Sequence, residues 1–343
     1  MKQCKSISTI IFLVVLLSFM IPSMLVLPIS SASTMNKAEK TPQKMEERKQ
    51  TNVLNEKEAM TVAVYRAQTE AIDNLPLEEY VAGVVASEMP AGFEMEALKA
   101  QALAARTYIV KKLMSPSHHD TPKDADVTDT VQHQVYKDSK GLREMWGKAY
   151  EVNMKKITEA VKATEGKIMT YNDQPIFAAF FSISNGFTEN AGDYWGEDIP
   201  YLKAIESPWD KQVSTFLSKK SIPIREFEDK LGVTLDHTSD IGIITARTPG
   251  NRVAKVSIKD KEFSGRDIRE KLDLRSTDFY WEKSGDHIII TTKGYGHGVG
   301  LSQYGANEMA KEGKGYEEIV RHYYRGIEIS SSDAYLSKQV ARK

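Results

Sequence analysis

Apolar residues follow three different patterns along the chain. From Ile7 to Leu27 they run almost unbroken, with Pro22 inside and Lys2 and Lys5 before. A run of that length can span a bilayer, which needs ~20 apolar residues. Residues 1–32 therefore read as an uncleaved signal anchor, N-terminus inside. Residues 33–58 are polar, rich in Lys, Glu, Gln and Asn, and read as a flexible tether.

From residue 59 the pattern breaks into short periodic segments. Met60–Arg66 alternates as a strand does. Pro76 opens a helix that runs to Glu88 or Met89 and stops before Pro90, with Leu77, Val81, Val84 and Val85 on one face. Phe93–Leu113 predicts a longer helix with Met95, Leu98, Ala102, Ala105, Ile109 and Leu113 aligned. Residues 115–145 are irregular apart from a short element at 133–136. A helix over Ile157–Thr164 closes at Gly166, and Ile168–Tyr171 with Ile176–Ser182 predicts a hairpin. Short helices at Phe227–Leu231 and Ile268–Leu274, strands at Arg252–Ile258 and His287–Thr292, and helices at Gln303–Glu312 and Tyr316–Tyr324 follow. No regular βαβ period appears. The expected class is α+β, with mixed helices and short antiparallel sheets. The exported domain spans 59–330, in one or two lobes, before a tail at 331–343.

Composition narrows the function. A formal net charge of −1 over 343 residues lacks the basic footprint of a nucleic-acid binder. Cys4 is the only cysteine, so neither an intramolecular disulfide nor a thiolate zinc cage can form. An exported, cysteine-free domain fits a bacterium that does not rely on disulfides.

The densest candidate chemistry lies at 294–306, where Gly294, Gly296, Gly298 and Gly300 alternate with other residues and Ser302, Gln303 and Tyr304 follow. Such a loop predicts a ligand-facing cradle. It lacks the Gly-Lys-Ser/Thr ending of a Walker loop and the spacing of a dinucleotide fingerprint. Its amide, hydroxyl and aromatic groups, with His297, suit a sugar or a peptide. Glu88 lies four residues after Val84 and three after Val85, so it projects from the apolar face. Desolvation there raises a carboxyl pKa and suits a general acid. The plainer alternative is a helix-end Glu that reaches solvent or pairs with Lys99 or Arg106. Gln101 and Arg106 belong either to a solvated face or to a groove beside Glu88. Ser182 and Ser184, before Asn185–Gly186, offer short hydrogen-bonding groups or ordinary turn chemistry; the Gly-x-Ser-x-Gly elbow is absent. His118–His119, His133, His287 and His297 do not form a metal-binding pattern, and no metal or cofactor is expected.

Four segments together carry a resemblance: Val84-Val-Ala-Ser-Glu-Met-Pro90, Ala97-Leu-Lys-Ala-Gln-Ala-Leu-Ala-Ala-Arg-Thr-Tyr108, Ser264-Gly-Arg-Asp-Ile-Arg-Glu-Lys-Leu272 and Ser302-Gln-Tyr-Gly-Ala306. Over about residues 60–330 the chain resembles the stage II sporulation protein D family, which includes the amidase enhancer proteins. The resemblance implies a membrane-anchored lytic transglycosylase of sporulation, active in septal thinning and engulfment. Its substrate would be peptidoglycan glycan strands already stripped of stem peptides, cut between N-acetylmuramic acid and N-acetylglucosamine to leave 1,6-anhydro ends. The implied partners are an amidase, stage II sporulation protein P, and a membrane protein, stage II sporulation protein M. The implied location is a single pass in the cell membrane with the C-terminal domain outside. Glu88 takes the place of the catalytic acid, and Gln101, Arg106, Ser182, Ser184, His297, Ser302, Gln303 and Tyr304 that of substrate-binding groups. Relatives that place Cys and His near position 133 hold zinc there, whereas here only His133 is present. The Ser-Thr-x-Gly-Gly turn of many relatives reads Ser182-Ile-Ser-Asn-Gly-Phe187. The rival function is a non-catalytic glycan-binding protein that activates a partner amidase.

Overall fold

The structure, a computed structural model, describes residues 60–115, 121–235 and 241–340. The anchor and tether expected over 1–58 lie outside the described residues. Among the described residues no helix is long and apolar enough to cross a membrane.

Strands β1 (Thr61–Arg66) and β2 (Ala71–Pro76) pair antiparallel in full register. Pro76 then caps α1 (Leu77–Glu88), its fixed φ leading the chain into the helix. A short loop leads to α2 (Met95–Met114), which is buried on nearly every side. Ala97, Ala100, Ala102, Ala104 and Ala105 project little from its axis, so neighbours can approach all round. The solvated stripe that an isolated amphipathic helix would keep is therefore missing. Around α2 pack α1, α4 (Tyr150–Ala163), β4 (Lys167–Tyr171), α8 (Gln303–Lys311) and α9 (Tyr316–Tyr323). Between them, β3 (Val127–Thr128) pairs parallel with β1. The Asp138 side chain caps α3 (Ser139–Trp146) by accepting from the Gly141 N–H at 2.7 Å.

The expected hairpin after β4 is shorter than its pattern. Asn172 and Asp173 take left-handed φ of 49° and 56° and turn the chain into β5 (Gln174–Pro175). The chain then leaves β4, whose other edge is taken by β14 (Glu328–Ser331). Strand β6 (Phe180–Phe181) pairs parallel with β13 (Leu301–Ser302) instead. The short α5 (Ala191–Trp195) follows.

A second hydrophobic cluster is built from residues 222–290. Strand β7 (Leu217–Pro223) enters it and α6 (Ile224–Leu231) follows. Strands β8 (Ile243–Arg247), β9 (Val253–Ile258) and β10 (Lys261–Ser264) form one sheet. A Ser264/Asp267 capping box starts α7 (Gly265–Lys271). Strands β11 (Phe279–Ser284) and β12 (His287–Lys293) complete a sheet with β7 in the order β11-β12-β7. Phe227, Ile268, Phe279, Ile288 and Ile290 fill this core. The segment expected as a tail after 331 is instead largely helical. It forms α10 (Asp333–Val340), whose Tyr335 and Leu336 pack on the first core.

Candidate active site

Glu88 is the last residue of α1. Met89 turns extended there, and its N–H caps Val85 O at 3.1 Å. The Glu88 side chain is half-buried. Its Oε1 accepts the Val135 backbone N–H at 2.9 Å. Burial pushes the carboxyl pKa up, and that one hydrogen bond opposes the shift. Among the described residues Oε2 takes no hydrogen bond, so the carboxyl keeps one oxygen available to an incoming group. Lys99 pairs with Glu96 at 2.6 Å and Arg106 with Glu78, so neither neutralises Glu88.

The loop carrying Val135 is clamped from several sides. Arg66 Nε donates to Asp129 at 3.0 Å, and its Nη1 reaches Asp73 at 2.8 Å and Asp138 at 3.1 Å. The same guanidinium lies over the Tyr136 ring, 5.1 Å from its centroid. That ring in turn lies against Gly83, where an added Cβ would come 2.2 Å from Cε2. The Tyr80 hydroxyl donates to Gln134 Oε1 at 3.1 Å. Tyr80 lies in the electrostatic reach of both Glu88 and Tyr108. The short element at 133–136 was visible in the sequence, but its role as the holder of Glu88 was not.

Beyond Glu88, the connection to α2 meets α8. Phe93 packs edge-on against Tyr304 with centroids 4.8 Å apart, and the Glu94 N–H donates to Asn307 Oδ1 at 2.8 Å. Gln303 Nε2 reaches Gln101 Oε1 at 3.4 Å, and the Tyr304 N–H donates to Ser182 O at 3.1 Å. The structure thus gathers Gln101, Ser182, Gln303 and Tyr304. Of these, Ser182 and Tyr304 are half-exposed, while Gln101 and Gln303 are buried. Gln101 Nε2 is buried with no partner among the described residues.

His297 sits apart from that group. Its ring lies 5.3 Å from Trp195, 5.7 Å from Tyr194 and 5.9 Å from Phe181. Burial first, then the charges of Arg269 and Arg252, push its pKa down to about 3. It is therefore neutral, and its Nδ1 accepts the Val299 N–H at 3.0 Å. His133 shares a hydrogen bond with the Thr128 hydroxyl at 2.9 Å.

Four sequence-based assignments need correction. The glycine alternation does not form a ligand cradle. Gly294, Gly296, Gly298 and Gly300 all have positive φ. Added Cβ atoms would come 2.6 Å from Ile183 O, 2.8 Å from Phe181 Cβ, 2.3 Å from Arg252 Nε and 2.0 Å from Ala179 O. The glycines exist so that the loop can lie against its own protein. Arg106 is fully buried rather than lining a groove. Its guanidinium grips both Glu78 oxygens at 2.8 and 2.6 Å, Thr164 O at 2.8 Å and Val161 O at 3.1 Å. Ser184 and Ser302 are likewise fully buried. The one Ser184 Oγ–H is shared between Ser207 O at 2.7 Å and Asp210 Oδ2 at 2.9 Å, and Ser302 Oγ donates to Asp210 Oδ1 at 2.6 Å. Their hydroxyls are committed internally.

Comparison with known proteins gives the family of the chain. A family model described as Stage II sporulation protein matches residues 65–171, the stretch that carries both Glu88 and the Val135 loop. A Stage II sporulation protein D from Bacillus subtilis is 56% identical over 284 residues, covering 83% of this chain and 83% of the relative. Another from Bacillus amyloliquefaciens is 50% identical over 331 residues, covering 95% and 96%. A Bacillus subtilis protein named Amidase enhancer is 28% identical over 303 residues, covering 73% of this chain and 40% of its own length.

Proposed function

Since the chain belongs to the stage II sporulation protein D family, we propose that it is a lytic transglycosylase. It acts on peptidoglycan glycan strands stripped of stem peptides, during septal thinning and engulfment in sporulation. The observation that carries this reading is Glu88, a half-buried carboxyl with a raised pKa, one hydrogen bond and one open oxygen. Such a group stays protonated at higher pH than an ordinary glutamic acid.

Glu88 donates its proton to the glycosidic oxygen as the C1–O bond breaks through an oxocarbenium-like state. The resulting carboxylate then takes the proton of the C6 hydroxyl, whose oxygen closes on C1. A 1,6-anhydro ring forms and no water is consumed. Hydrolysis would need a second carboxylate at a set separation. Of the acids after the 182–186 turn, Glu189 accepts from the Thr248 hydroxyl beside Arg252, Asp193 accepts from Asn190, and Glu197 is exposed. Ser182 and Tyr304, both half-exposed, offer the hydroxyl and ring surfaces that would seat a sugar. Residues 1–32 serve as the membrane anchor with the folded part outside the cell membrane. Stage II sporulation proteins P and M are the proposed partners.

Mass spectrometry of peptide-free strands incubated with the full chain in detergent tests this. Anhydro-muramic ends with wild type and none with Glu88→Gln are expected. Reducing ends would mean hydrolysis. The similarity to the protein named Amidase enhancer favours one rival, a non-catalytic binder that activates an amidase, in which Glu88→Gln is without effect.

A further inference from the structure

A cavity of ≈ 560 Å³ opens beside the C-terminal half of α2, lined among others by Lys111, Phe177, Trp195, Glu197, Ile199 and Tyr201. It does not contain Glu88. A row of rings runs along it. Tyr108 lies seven residues after Gln101, on the same face of α2. Its ring is 6.0 Å from Phe177, Phe177 is 5.4 Å from Trp195, and Trp195 is 5.3 Å from His297. Tyr108, Phe177, Trp195 and His297 are all half-exposed. So many partly exposed rings in one place exceed what scattered surface residues require.

The Phe177 N–H is held by the Tyr201 hydroxyl at 2.9 Å, and Lys111 Nζ donates to Pro175 O at 3.0 Å. Ring faces are thus fixed beside the Lys111 ammonium and the Glu197 carboxylate, with Asp198 paired to Lys203. This chemistry selects a neutral ligand with apolar faces and many hydroxyl donors. The carboxylates disfavour a phosphate or a nucleic acid, and the rings favour C–H faces stacked upon them.

We infer that this cavity is a sugar subsite that seats an N-acetylhexosamine ring of a glycan strand, away from the residue that is cut. The inference rests on the glycan-cleaving reading above and adds a second point of attachment for the strand.

The test is calorimetric binding of chitopentaose to the full chain in detergent, in a Glu88→Gln background so that nothing is cut. Trp195→Ala should weaken binding roughly tenfold. Glu197→Gln and Lys111→Ala, both on the exposed rim, should weaken it about threefold. Circular dichroism checks the fold of each variant, and should Trp195→Ala unfold, the two rim variants decide. Unchanged affinity in the folded variants would overturn the subsite even if wild type cuts strands. Binding that depends on these residues in a protein whose wild type cuts nothing would keep the subsite and remove the lytic reading.

Discussion

Glu88 and Asp210 are two carboxyl groups withdrawn from water, and burial raises the pKa of both. Their surroundings differ in one respect. Asp210 accepts four hydrogen bonds, from the Ser184 N–H and from the hydroxyls of Ser184, Ser207 and Ser302. Glu88 accepts one. Asp210 is a knot that ties the 184 turn, the 207 turn and the start of α8 into one piece. Glu88 is held only enough to fix its direction. A raised pKa is common to both, so desolvation alone does not mark a reactive acid. Unspent hydrogen-bonding capacity at a half-open position is what sets Glu88 apart.

The sharpest way to break this contrast is to neutralise each group in turn. Glu88→Gln should lower strand cleavage on the order of 10²–10⁴-fold and leave the urea midpoint no lower than in wild type. Asp210→Ala should do the reverse, costing about 3–4 kcal/mol in urea unfolding because four donors lose their acceptor. A Glu88→Gln protein that loses stability as Asp210→Ala does would erase the distinction. Gly300→Ala probes the loop beside the knot. An added Cβ would sit 2.0 Å from Ala179 O at a φ of 80°, so about 3 kcal/mol should be lost with no specific loss of activity per folded molecule. Ser302→Ala removes both the α8 cap on the Gly305 N–H and a donor to Asp210, and should cost about 1–2 kcal/mol.

The smallest effect is one of pH. The folded Glu88 carboxyl has a higher pKa than the unfolded one. Below the unfolded value both states are protonated and the group's contribution to stability is fully present. It is lost as pH rises through the folded value. Glu88→Gln escapes that loss, so its stability relative to wild type should be greater at pH 8 than at pH 4. Equal differences at the two pH values would mean that Glu88 is not desolvated. Strand cleavage should also decline on the alkaline side of the Glu88 titration.

The two regions were unequally legible in the sequence. The Glu88 position followed from helix periodicity, because a carboxyl three and four residues after buried valines has few places to go. The polar residues of the second region carried no such signal. Ser302 reaches Asp210 across 92 residues and Ser184 reaches it across 26. A hydroxyl beside a glycine looks the same whether it faces a ligand or a buried aspartate. The alanines of α2 hid how far it is buried, because apolar periodicity weakens when small residues fall on every face. The expected hairpin failed for a related reason. Phe180 and Phe181 read as a continuation of the strand at Ile176, but their partner, β13, lies over a hundred residues away.

The route of the chain has a further consequence. The residues around the second hydrophobic cluster enter at Leu217 and leave at Lys293, and these two residues are paired across β7 and β12. The Gly294 N–H then bonds Phe216 O at 2.8 Å. Everything between is a parenthesis, opened and closed at one rung of a ladder. A deletion or exchange made at that rung would leave its flanks about one strand spacing apart, roughly 5 Å. The strand orders β2-β1-β3 and β14-β4-β5 contain no residue of this passage, which is fastened to the rest by Asn185, bonded to Gly250 O and Asp278, and by Glu189, bonded to Thr248.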